Sequence, residues 1–311
     1  MDKYTLEKID ISENSINKWM DLFKSCFNLR PEYTIDWAYW YNNSSYKKNE
    51  LYVIKDLDKV VASYGLFPLN IVYKNKNNKS YLANNGMTHP EYGNNGFFTK
   101  LGKHIMENIR TKDVILMGIP NDNAIPGHRK VGWQELNNIP FFEITDVKVK
   151  YELKNEYTFV DKFSNEDDIK IKQFLSKYDF YIDKDSNYLN WRFIDRPNIN
   201  YLIFKSSPFN NFIVLKHFKY KDENKLHIVD FGYNQIEDFI DIIKLSINKG
   251  YELGVDIINI WCYNKQEQEI LTTLKFNKSE LSSRFILHSD IDFLKADTSK
   301  WHVTLGDNDV F

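Results

Sequence analysis

The tightest local constraint on this chain lies in residues 81–110, where the stretch YLANNGMTHP runs through a glycine-containing turn straight into GFFTKLGKHIMENIR. Phe97, Leu101, His104, Ile105 and Ile109 recur at helical spacing, so strand, turn and helix follow one another without a linker. A helix that opens at such a turn points its first backbone N–H groups outward at the positive end of its dipole, which makes the turn an anion site. Neither G-x-G-x-x-G nor G-x-x-x-x-G-K-[ST] is present, which argues against a dinucleotide fold and a P-loop ATPase.

Upstream, SINKWMDLFKSCF at 15–27 places Ile16, Trp19, Met20, Phe23 and Phe27 on one helical face, with Ser12 or Asn14 as N-cap, and the helical stretch TIDWAYWYNN follows Pro31. ELYVIKD at 50–56 and KVVASYGLFPLNIVY at 59–73 read as strands joined by a hairpin turn, and KNKNNKS as a polar loop. DVILMGI at 113–119 is a nearly continuous apolar run, as in a strand buried on both faces, and NDNAIPGHRKVGW gives a loop and a short helix.

The second half repeats this order. NYLNWRFIDRPNINYLIFK at 187–205 echoes IDWAYWYNNSSYKKNELYVIK at 35–55, each a Trp-centred helix running into an aromatic-rich strand. Trp37, Trp40 and Trp191 read first as core anchors. Strands FIVLKHF and LHIVDFGY, a helix at 237–249, strand DIINIWC and helix KQEQEILTTL then parallel residues 51–133. Where the first half has PEYGNNGFF the second has GYNQIEDF, with no glycine after the turn, so the phosphate cradle belongs to the first half.

At 311 residues the chain has room for two domains, and 42% hydrophobic with 27% charged residues gives no case for disorder. A net charge of −2 without a basic block disfavours nucleic acid as a partner. MDKYTLEKIDISENS lacks the apolar stretch of a signal peptide, and nowhere do about 18 apolar residues run together, so a cytoplasmic location without membrane contact is expected. Cys26 and Cys262 stand in different halves and indicate neither a disulfide framework nor a metal site.

Thr88-His89-Pro90 followed by Gly93 to Phe98 resembles the GNAT acetyltransferase signature, a Val-x-Pro strand end and then [Gln/Arg]-x-x-Gly-x-[Gly/Ala] around the CoA pyrophosphate. Gly96 is retained; Gly93 stands where the signature has Arg or Gln, and Phe98 where it has Gly or Ala. Downstream, Asn121, Ala124, Gly127 and Lys130-Val131-Gly132-Trp133 fall in the family's order. The resemblance covers residues 50–135 in motif and 150–311 in order of elements. It implies an α/β (α+β) architecture of two GNAT-like domains, 1–150 and 151–311, each with a mixed, largely antiparallel central sheet flanked by helices. The first would bind acetyl-CoA, and the second, degenerate, would shape the acceptor site.

That resemblance implies direct attack of an amine on the thioester of acetyl-CoA as co-substrate. Main-chain atoms of Gly86 and Thr88 would face the pantetheine arm, and Gly93, Asn94, Asn95, Gly96, Phe97 and Phe98 would cradle the phosphates, with Asn121 adding a contact or capping the next helix. His128 stands where the family often has an acidic Tyr for the leaving thiolate; His89 and Glu91 flank the loop as candidate bases. Asp307 and Asp309 near the end offer carboxylates to an amino-sugar or polyamine acceptor, or serve a Gly-Asp-Asn turn. By family analogy the acceptor is an amine on a nucleotide-linked sugar, with a small amine, an amino acid or a protein N-terminus also open. A sensor that binds acyl-CoA without turnover competes, because the loop has lost its Arg; a tRNA-dependent aminoacyl ligase fits the charge balance poorly. A doubled chain meets its own pairing needs, which favours a monomer over a homodimer.

Overall fold

The computed structural model describes residues 3–27, 32–109, 114–145 and 147–309. The first elements are β1 (Tyr4–Ile9), α1 (Glu13–Cys26), α2 (Ile35–Asn42), β2 (Glu50–Asp56), β3 (Lys59–Tyr73) and β4 (Lys76–Thr88). Ser12 caps α1 by accepting the Ser15 N–H at 3.3 Å, and Thr34 caps α2 by accepting the Trp37 N–H at 3.2 Å. Strand β2 shows the alternation that puts it mid-layer: Leu51 and Val53 pack with Trp19 and Phe23 of α1, while Tyr52 and Ile54 pack on the opposite face. The expected polar loop at 74–80 shrinks to Lys74 and Asn75, both at positive φ, 48° and 64°. This is the backbone of a tight two-residue hairpin turn, so the strand resumes at Lys76.

Then follow α3 (Phe97–Asn108), β5 (Ile115–Gly118), α4 (Ile125–Lys130), β6 (Gln134–Glu135) and β7 (Ile139–Ile144). Phe97, Leu101 and Ile105 of α3 pack against Tyr52 and Ile54, completing a helix–sheet–helix sandwich. The remaining strands are β8 (Glu156–Phe159), β9 (Phe180–Ile182), β10 (Tyr201–Ser207), β11 (Asn211–Tyr220), β12 (Glu223–Tyr233), β13 (Ile257–Trp261), β14 (Asn277–Ser283) and β15 (Ile286–His288). The remaining helices are α5 (Asp168–Leu175), α6 (Ser186–Leu189), which runs on as a π-helical turn to Ile194, α7 (Ile236–Leu253) and α8 (Lys265–Thr273).

Two mixed sheets result, in the orders β1-β2-β3-β4-β5-β15-β6 and β14-β7-β13-β12-β11-β10-β8, with β9 also paired to β3. The sheets do not part at residue 150. β7 pairs with β13 and β14 of the second sheet, while β15 from the far end of the chain sits between β5 and β6 of the first. The two Trp-centred helices that echo each other in sequence meet here. Trp40 and Trp191 stack at 5.2 Å, Trp191 lies flat on Phe67 at 4.6 Å, and the Trp40 indole N–H donates to the Trp191 carbonyl at 3.1 Å.

Candidate active site

Strand β4 pairs in parallel with β5 only from Ser80/Ile115 to Ala83/Gly118, yet it runs on to Thr88 against β3, so beyond Ala83 one edge of β4 faces a widening slit. The register passes from Ser63/Met87 to Gly65/Asn84, leaving Asn85 and Gly86 opposite the single residue Tyr64; this is a β-bulge, with Asn85 at φ 52°. Ser63 fixes it by donating to the Asn85 carbonyl at 2.8 Å, and itself accepts the Trp19 indole N–H at 3.2 Å. Beneath it lies a buried amide ladder in which Asn49 bonds Asn42 at 2.8 Å and Asn84 at 3.2 Å. Gly65 passes so close that a Cβ there would lie 2.2 Å from the Asn84 side-chain oxygen. Gly65→Ala is therefore expected to destabilise the fold by about 2 kcal/mol, read as a lower urea midpoint, because it overpacks a buried hydrogen-bonded network.

The slit opens into a cavity of about 680 Å³. Of the residues singled out in sequence, Gly86, Phe98, Asn121 and His128 line it. Asn121 lines it but does not cap α4, whose N-cap is Ala124; its side-chain oxygen closes the preceding turn by accepting the Ala124 N–H at 3.0 Å. Thr88, Gly93, Asn94, Asn95, Gly96 and Phe97 lie outside the lining. The Thr88 carbonyl accepts the Cys26 thiol at 3.4 Å, and the Phe97 ring is core, edge-on to Tyr4 at 4.8 Å, leaving its backbone N–H to any ligand. Gly96 is the N-cap of α3 at φ 69°, with open space where a Cβ would stand; no side chain caps this helix and no acid lies in its first turn. His89 and Glu91 are also outside the cavity. His89 Nδ1 accepts the Glu91 N–H at 3.3 Å, and the Glu91 carboxylate stands in solvent 3.7 Å from Lys59.

Sequence reading missed Tyr64, Phe23 and Tyr33, which line the cavity with Asp309 and with Trp37, read first as a core anchor and second as an acceptor contact. The Tyr64 hydroxyl lies 3.3 Å from His128 Nδ1.

In the second half the place of the slit is taken. β12 pairs with β13 only as far as Ile228/Ile260, and beyond it the segment 301–309 packs along β12, with Gly306 so near that a Cβ would stand 3.2 Å from the Val229 carbonyl. Arg192 holds the segment by donating to the Gly306 and Asn308 carbonyls at 3.1 and 2.6 Å. Asp307 pairs with buried Lys184 at 2.8 Å, which removes it as an acceptor contact. At the start of α7 the Asp238 carboxylate accepts the Gln235 N–H at 3.0 Å, placing negative charge where α3 presents none.

Residues 8–136 match the family model for an acetyltransferase (GNAT) domain. That stretch is similar to a GNAT domain. The chain's fold extends the likeness over both halves. A GCN5-related N-acetyltransferase from Anabaena variabilis superposes with a TM-score of 0.70 at 14% identity, covering 91% of this chain and 72% of that one. An Enterococcus faecalis protein described as a probable N-acyltransferase gives 0.69 at 12%, with the same coverage. Saccharomyces cerevisiae N-myristoyltransferase with bound myristoyl-CoA gives 0.64 at 11%, covering 97% of this chain and 90% of that one. No curated protein matches the sequence. Among the described residues no helix is long and apolar enough to cross a membrane.

Within the first half, burial lowers the His128 pKa to about 4, so its imidazole is neutral at pH 7, and burial raises that of the Tyr64 phenol. Between the ordinary His value of about 6.5 and the folded value, the unfolded chain holds a proton that the folded one does not, so stability rises with pH. Stability is thus expected to be complete above about pH 6.5 and to fall by about 3 kcal/mol as pH drops towards 4. Urea titrations across this window check it, and His128→Gln should flatten the slope.

Proposed function

We propose that this protein is an N-acyltransferase that moves an acetyl group from acetyl-CoA to a primary amine by direct attack in a ternary complex. The observation that carries this reading is the bare N-terminus of α3, uncapped and free of acid, at the mouth of the slit left by β4 and β5. Free N–H groups at a helix start suit a pyrophosphate, and an unpaired strand edge suits the amides of a pantetheine arm.

The amine nitrogen attacks the thioester carbonyl carbon, the C–S bond breaks, and the sulfur leaves as a thiolate whose thiol has a reference pKa of about 8.5. The Tyr64–His128 pair is neutral, so it serves as a set of hydrogen-bond donors to the departing sulfur and not as a reservoir of ready protons. On the acceptor side Asp309 takes the role assigned in sequence to His89 and Glu91, because it lines the cavity and they do not. Burial raises its pKa while Arg192 opposes the rise; an arriving ammonium would hold the carboxylate charged and pass it one proton to become the attacking amine, and the second nitrogen proton goes to the departing thiolate as the C–S bond breaks. The ring wall of Phe23, Tyr33 and Trp37 offers flat faces to the body of an amino sugar or another ring-bearing amine. Arg284, which also lines the cavity, is already paired with Asp122 at 2.8 Å and Glu135 at 3.0 Å, which favours a free amine over one linked to a nucleotide diphosphate.

Calorimetry with acetyl-CoA tests the cofactor assignment. One-to-one binding is expected for the wild type and for Gly96→Asn, since Asn tolerates positive φ, and binding should drop at least about a hundredfold in Gly96→Asp, whose carboxylate would face the pyrophosphate. Wild-type protein that binds no acetyl-CoA would overturn the reading. Thiol release with a panel of primary amines then separates transfer from binding alone.

A further inference from the structure

Phe98, the second residue of α3, belongs to both parts of the site: its backbone lies in the cradle and its ring lines the cavity. The ring is held between two glycines. A Cβ on Gly86 of the β4 bulge would come within 2.9 Å of it, and one on Gly127 of α4 within 2.5 Å. Neither glycine has positive φ, so backbone conformation explains neither of them. Within a helix, glycine costs about 1 kcal/mol relative to alanine, and Gly127 bears that cost where a ring fills the space a methyl group would need. The same ring stands edge-on to His128 at 5.0 Å and lies 5.4 Å from Tyr64. It therefore fills the space between β4 and α4 directly beside the Tyr64–His128 pair.

Resting on the acyl-CoA reading above, we propose that Phe98 is the gate for the pantetheine arm: its ring closes the slit between β4 and α4, and the arm reaches the Tyr64–His128 pair only when the ring turns out from between the glycines. A nucleotide without the arm needs only the cradle and is indifferent to the ring. The gate taxes affinity by the fraction of time it is open, so a ring out of the slit one-tenth of the time weakens binding about tenfold.

Calorimetry on the full chain, using CoA and 3′-phospho-ADP as probes, tests this. Phe98→Ala is expected to tighten CoA about tenfold while leaving 3′-phospho-ADP within twofold. Gly127→Ala puts a methyl group where the ring stands and drives it out from between the glycines, which gives a second reading: CoA should bind more tightly in that variant too, and the effect should vanish in the Phe98→Ala/Gly127→Ala double variant. CoA affinity unchanged or weakened in Phe98→Ala, or a Gly127→Ala effect that persists without the ring, would overturn the gate and leave the acyl-CoA site standing. If neither wild type nor Phe98→Ala binds CoA, both fall together.

Discussion

Lys184→Met is expected to lower stability by about 3 to 5 kcal/mol. The Lys184 ammonium is almost wholly buried and lies 2.8 Å from both Asp230 and Asp307, whose side chains are each 1% exposed. Burial alone would lower its pKa, but the two carboxylates reverse this and hold the proton firmly. Burial likewise works against the charge on Asp230, and Lys184 with His302 outweighs it, keeping that carboxyl below its ordinary range. Removing the ammonium leaves two carboxylates facing each other out of water, and one must take up a proton or the segment must leave. A urea titration at pH 7 measures the loss. Lys184→Met combined with Asp230→Asn should recover part of it, because the pair is coupled, and a loss below about 1 kcal/mol would show that the cluster does not hold the fold. The same variant should weaken acceptor binding, since Asp309 stands two residues beyond Asp307.

Tyr64→Phe should reduce kcat about a hundredfold with little change in KM for acyl-CoA, since it removes a hydroxyl from the cavity and no apolar surface. His128→Gln, which keeps a donor near that hydroxyl, should cost less than His128→Ala. Steady-state thiol release gives both numbers. If KM rose while kcat held, the pair would serve binding and not the developing charge on sulfur.

Much of the first half was legible because its signals are periodic and local. The α3 face, the β2–β3 hairpin and the Ser12 cap each depend on residues within a turn or two of one another. The bare start of α3 could be read for the same reason. Tyr64 could not be picked out, because it sits in a 15-residue strand of mostly buried residues, and only the bulge opposite it turns that position towards the slit. The ring wall draws on α1, the segment before α2 and α2 itself, which read separately as core. Asp307 and Asp309 were noticed as a pair, but sequence spacing cannot show that Lys184, more than a hundred residues earlier, takes one and leaves the other. Partner choice among strands was hidden for a similar reason, since the apolar pattern of β7 and β15 marks them as strands without saying which sheet they complete.

The exchange of β7 and β15 also bears on how the protein is made. Residues 286–288 fill the space between β5 and β6, so while the ribosome is still decoding the second half, β5 has emerged with an open edge and no permanent neighbour on that side. The β5–β15–β6 side of the first sheet cannot close until residues 286–288 have been made. A nascent chain of this design depends on chaperone cover, or on fast closure after release, more than two independently folding domains of the same size would.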